Sequence, residues 1–166
     1  MTTFTVPGTP GANAWKMPAT LRDVWDIIYS KCAGPLADHD VDHAYIERVA
    51  SMPGQGVAST FKFGKNAGML EAFLIAANIP YTLVTPSKWC GFLGLRRQKD
   101  ETNVAWKNRH KAMAQQLFPA LDITHAVADA LLIAHFGLEW GGRRGTVLGI
   151  DPGQSGGIAV VAGKGE

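Results

Sequence analysis

Apolar positions along this chain follow two rhythms, alternation and helical spacing, and the switches between them divide it into short elements. Residues 2–6 alternate and are rich in β-branched side chains, which predicts a strand. Residues 7–18, dotted with Gly, Pro and Asn, predict a loop. Thr20 is a capping residue ahead of Val24, Ile27 and Ile28, whose spacing predicts a helix from Leu21 to about Lys31. After a polar connection over 33–42, residues 43–49 read as a strand, stopped by the Pro and Gly of 51–56. A long helix over about 57–78 follows despite Gly64 and Gly68, and its small residues Ala58, Ala67, Gly68 and Ala72 would let another element approach closely. Residues 81–84 form a strand, Pro86 opens a short helix, and 91–97 form a loop. Asp100 or Thr102 starts a helix reaching about Phe118, and a last helix runs over about 124–136 to a stop at Gly137. Beyond a Gly- and Arg-rich connection at 141–145, an apolar run ends in Asp151, a Pro-Gly turn follows, and Gly156-Gly157 opens a second apolar run. That is a strand, a tight turn and an antiparallel partner.

The resulting order, β-α-β-α-β-α-α-α-β-β, predicts an α/β fold with a mixed sheet flanked by helices. At 166 residues one domain is expected. No apolar run is long enough to cross a bilayer, nothing at the start resembles a signal peptide, and the two cysteines, Cys32 and Cys90, fit a reduced cytoplasm better than a disulfide framework. No CxxC or Cys/His cluster supports a zinc site. The net charge of +2 is unevenly spread: seven basic and two acidic side chains lie between Lys88 and Lys111, while the remainder is net acidic. A local basic stretch is what a docked polyanion requires, although a solvated helix face would look the same.

Three acids stand where chemistry is expected. Asp151 ends a strand, Glu47 lies near the end of another among Tyr45, Ile46 and Val49, and Asp129 sits in an Ala-rich helix. Singly, each has an ordinary alternative as a turn, strand-edge or surface residue. Jointly, ionised acids in apolar surroundings need a partner, and their sequence neighbours offer no obvious cation for Asp151 or Asp129. A divalent metal would satisfy all three, and oxygen ligands favour Mg²⁺ or Mn²⁺. His125, one helical turn before Asp129, shares its face and is a further candidate ligand or proton-transfer group.

The segments Ile150-Asp-Pro-Gly with Gly156-Gly-Ile-Ala, Ile46-Glu47, and Ala128-Asp-Ala-Leu-Leu-Ile-Ala together resemble the acidic motifs of RuvC-type Holliday-junction resolvases, and 52–64 is most similar to the phage-borne branch. The resemblance covers essentially the whole chain. It implies an RNase H-like fold of five strands and a Mg²⁺-dependent crossover-junction endodeoxyribonuclease (Mn²⁺ substituting) active in DNA recombination as a homodimer on branched DNA. It implies hydrolysis of a phosphodiester with two metal ions, held by Asp151, Glu47 and Asp129, with His125 as the fourth ligand or the group that handles the water's proton. It assigns Lys88, with Lys99 beside it, to the scissile phosphate. The DNA-facing set becomes Lys62, Lys65, Lys88, Arg96, Arg97, Lys99 and Lys107. Where bacterial members carry an aromatic residue past the strand glutamate this chain has Ala50, which leaves Phe61 or Phe63 to meet the junction bases.

Order is the main departure. Relatives begin with the strand that bears the first acid, which here comes near the end. A circular permutation is expected, with the termini in the turn between the family's second and third strands and 137–145 as the linker joining its usual ends. Two rival classes share some of these features. A non-cleaving binder of branched DNA would keep the fold, and an actin-like or sugar-kinase fragment would use the Gly-Gly hairpin for phosphate.

Overall fold

The computed structural model describes residues 11–50 and 53–163, so the strand expected at 2–6 lies outside the described residues. Five strands form one sheet in the order β1-β5-β4-β2-β3: β1 (Ala12–Lys16), β2 (Val41–Glu47), β3 (Tyr81–Val84), β4 (Thr146–Asp151) and β5 (Gly157–Ala162). β4 runs parallel to β2, and β2 to β3, while β5 is antiparallel to both β4 and β1. The expected mixed α/β sheet is therefore present.

Alternation along the strands builds two cores. Val147, Ala159 and Val161 face one side, with Tyr45 and Val84. Leu148, Ile150, Ile158 and Val160 face the other, with Ala44 and Ile46. The first side is covered by α3 (Pro86–Phe92), α4 (Asn103–Leu117) and α5 (His125–Trp140). The second is covered by α1 (Leu21–Asp26), its π-helical continuation (Ile27–Lys31), and α2 (Val57–Ala76). Thr20 and Thr102 cap α1 and α4 through their side-chain oxygens, as their sequence positions suggest. Cys32 and Cys90 are buried free thiols, each pushed up to about 12 mainly by burial, so neither is an activated nucleophile.

Two expectations are corrected. Residues 12–16, read as loop, form edge strand β1, because pairing with β5 supplies the stability that Ala-Asn-Ala-Trp-Lys lacks by composition. Gly137 does not stop α5, which continues to Trp140. A Cβ at Gly137 would overlap the ring of Tyr45, so this glycine admits β2's tyrosine against the helix. The helix ends instead in a Schellman motif: Gly142 has φ +58°, its N–H meets Glu139 O, and the Arg143 N–H donates to Leu138 O at 3.0 Å. The first part of the expected linker is thus a helix cap.

Gly149 sets the distance between α5 and β4. A Cβ there would overlap the Ala130 carbonyl and crowd the Ala134 N–H, both backbone atoms of α5. Gly149→Ala must push the helix off the sheet. We expect a loss of about 1–3 kcal/mol in urea unfolding, and an unchanged midpoint would refute this close approach.

Candidate metal centre and its aromatic support

Register brings the first two acids together. β2 and β4 are parallel neighbours with Ile46 opposite Ile150, so Glu47 and Asp151 follow side by side at the carboxyl ends of adjacent strands. Ligand chemistry in open α/β sheets concentrates at such ends. Both residues sit two positions beyond side chains facing α5, Tyr45 and Gly149, and so share that face. Gly149 lies against Ala130 of α5, the neighbour of Asp129, and the Asp129 charge reaches both Glu47 and Asp151.

Each acid is held by a defined donor. Glu47 Oε2 accepts from the Trp89 indole N–H at 2.8 Å, and Asp151 Oδ1 accepts from the Gly153 N–H at 3.1 Å. Asp129, almost fully buried, has both oxygens engaged: Oδ2 accepts from the Lys107 ammonium, and Oδ1 lies 2.7 Å from His110 Nδ1. Sequence reading missed this cation. Lys107 and His110 stand three residues apart on one face of α4, and helix packing delivers them to Asp129 across 22 and 19 residues of chain. Lys107, expected to face DNA, pairs with Asp129 while its side chain stays half exposed.

The charges feel one another. Burial, then the Asp151 charge and more weakly Asp129, raise Glu47 from an ordinary 4.5 to about 7, against the pull of Trp89 and Lys107. Burial and Asp129 also raise Asp151. Burial would raise Asp129 too, but the His110 hydrogen bond and the Lys107 charge outweigh it and hold its carboxyl below the usual range. Lys107, despite burial, is raised by Asp129 first and then by Asp151 and Glu47. Were all three carboxylates ionised they would outnumber the Lys107 ammonium by two, and the raised Glu47 and Asp151 carboxyls resist that state.

Among the described residues no three His, Cys, Asp or Glu side chains form a ready-made ligand shell. The donor set nevertheless fits a hard divalent ion: it is all oxygen, and burial together with the neighbouring Asp151 charge disfavours the Glu47 anion, which a divalent ion would offset.

This predicts a pH signature. A carboxyl raised in the folded state binds its proton more tightly there than in the unfolded chain, so its stabilisation is full below about 4.5 and is lost as pH rises through 7. Without divalent ions, Glu47→Gln, which keeps an acceptor for Trp89, removes that slope and is more stable than the parent at pH 8 by up to roughly 3 kcal/mol. Urea unfolding in EDTA at pH 5 and 8 checks this; parallel curves for parent and variant would contradict it.

Other candidates are dispersed. His125 opens α5, is exposed, and its Nε2 lies 2.8 Å from Asn108 Oδ1. It lines a cleft of about 270 Å³ with Asn103, Val104 and Lys107, at the outer side of the lysine. Lys88 is turned away: its ammonium stands 3.7 Å above the ring of Trp140, eleven residues beyond Asp129 along α5, or roughly 16 Å at helical rise. Arg97 donates to the Glu101 carbonyl, and Arg109 forms an ion pair with the Glu101 carboxylate. Arg96 and Lys99 are exposed nearby, and Lys62 and Lys65 are exposed on α2. Phe61 is 74% exposed on α2, and Phe63 partly buried. Cβ atoms at Gly156 and Gly157 would strike the Asp151 carbonyl and the Ala126 and Trp15 carbonyls, so both glycines serve close backbone packing at the start of β5. No helix among the described residues is long and apolar enough to cross a membrane.

The sequence matches no protein-family model, and a search of curated proteins finds no match.

Proposed function

We propose that this chain is a Mg²⁺-dependent endonuclease of the RuvC type, cutting Holliday junctions and related branched DNA, on an RNase H-like fold with circularly permuted strand order. One observation carries the reading: Glu47 and Asp151 end adjacent parallel strands, and both feel the charge of Asp129 on α5. The sheet order agrees with it. Joined across the Ala162 N–H to Gly11 O hydrogen bond, β4, β5 and β1 would be three consecutive antiparallel strands.

Asp151, Glu47 and Asp129 would hold the ion or ions, with Mn²⁺ able to replace Mg²⁺. Bound there, the metal would lower the pKa of an attacking water and offset charge on the leaving oxygen of a phosphodiester. The chain's own contribution is orientation and charge. Trp89 fixes the Glu47 carboxylate and the Gly153 N–H fixes Asp151. Lys107, half exposed at the mouth, can exchange Asp129 for a phosphate oxygen. His125 lines the same cleft as Lys107, and its imidazole is the group we assign to the water's proton. Lys99, Arg96, Lys62 and Lys65 supply exposed positive charge for the DNA backbone, which makes binding steeply salt-dependent. A near two-fold junction suits a symmetric homodimer, and exposed Val57 and Phe61 on α2 offer an apolar seat for a second copy.

The test is incubation of a synthetic four-way junction and a linear duplex of the same sequence with the protein, with and without Mg²⁺. Paired nicks in the junction alone, only with Mg²⁺, are expected. Junction binding without nicks would leave a non-cleaving binder, and equal cutting of the duplex would refute structure selectivity.

A further inference from the structure

Behind Asp129 lies a histidine with no counterpart among the residues singled out from the sequence. His110 is 1% exposed. Its ring stands edge-on to two indoles, Trp89 at 5.3 Å and Trp106 at 4.7 Å between centroids. Both indoles are themselves anchored: Trp89 donates to Glu47 Oε2 at 2.8 Å, and Trp106 donates to the Leu95 carbonyl at 2.7 Å. The imidazole is clamped, and its Nδ1 meets Asp129 Oδ1 at 2.7 Å. Its Nε2 is buried and has no hydrogen-bond partner among the described residues.

That orphaned atom decides the tautomer. A proton on Nε2 would leave a buried donor unpaired and set the bare Nδ1 lone pair against a carboxylate oxygen. With the proton on Nδ1 the carboxylate gains its donor, and only an acceptor goes unpaired among ring edges. An unpaired buried atom is retained where it serves something else. Here the ring's position is fixed by what lies on its other side, because one tier of three rings holds two of the three acids: Trp89 grips Glu47 and His110 grips Asp129.

We propose that His110, as the Nδ1–H tautomer, is a positioning residue for the cation site: it pins Asp129 Oδ1 so that Oδ2, the oxygen now bound by Lys107, is presented to an incoming divalent ion. This rests on the cation-site reading of the three acids. Residues that orient a metal-binding carboxylate in this way change affinity by about 10- to 100-fold when removed.

Two variants and one spectrum test it. His110→Phe keeps a ring between the indoles and deletes the donor, whereas His110→Asn replaces Nδ1–H with an amide N–H at nearly the same place. Calorimetric titration with Mg²⁺ is expected to show binding at least tenfold weaker for the Phe variant and largely restored for the Asn variant. A Phe variant that binds as tightly as the parent would overturn the positioning role alone. A parent protein that binds no Mg²⁺ would overturn the cation-site reading and this inference with it. On the metal-free parent, a two-bond ¹⁵N–¹H correlation should show His110 protonated at Nδ1, and a proton at Nε2 would overturn the proposal whether or not the variants fold.

Discussion

Asp151→Asn should abolish Mg²⁺-dependent cleavage of a four-way junction, by at least about 10³-fold in rate, while junction affinity is unchanged. Asp151 stands beside Glu47 and shares the field of Asp129, so it is the acid best situated to bridge the cluster. Asparagine keeps the oxygen that accepts from Gly153 N–H and removes only the charge. The same change should make the metal-free protein more stable at neutral pH. Burial and the Asp129 charge raise the Asp151 carboxyl, which means that its ionised form is strained in the fold. Loss of cutting joined to a gain in stability is the mark of a residue kept for function rather than for folding. Single-turnover cleavage, junction gel shifts and thermal unfolding measure the three effects, and undiminished cutting would remove Asp151 from the site.

Lys107→Met should be the most damaging surface-accessible change for stability in the absence of metal. It deletes the one ammonium among three coupled carboxylates and leaves Asp129 buried without its counter-charge. Breaking a fully buried pair costs about 3–5 kcal/mol; because the lysine is half exposed, water screens the pair, and about 2 kcal/mol is expected. The deficit should shrink at pH 5, where Glu47, raised to about 7, takes up its proton, and should be recovered by millimolar Mg²⁺. Urea midpoints of the variant with EDTA and with Mg²⁺ decide this. A variant as stable as the parent in EDTA would mean that Lys107 does not neutralise the cluster.

What the sequence disclosed depended on how local each signal is. Asp151 and Glu47 were legible because each ends an apolar run, and strand ends are where parallel sheets gather their polar groups. Asp129 was legible as a charge in a helix otherwise built of Ala, Leu and Ile. The meeting of Glu47 and Asp151 at adjacent strand ends followed from sheet topology. Lys107 and His110 were not legible as partners of Asp129, because nothing along 19 to 22 intervening residues announces how α4 packs on α5. Edge strand β1 was hidden for a similar reason: Ala12 and Ala14 carry little strand preference, and only the neighbouring β5 makes them a strand. Gly137 looked like a helix end because the sequence cannot show that Tyr45 needs the space. Lys88 was expected at the scissile phosphate from the family resemblance, yet it rests on Trp140, which comes 52 positions later in the chain.

The central claim is that these acids form a single cation site, and Mg²⁺ calorimetry on the parent and on Asp151→Asn addresses it most directly. The account predicts saturable binding by the parent and its loss in the variant. Equal heats from the two proteins, or none from the parent, would contradict it.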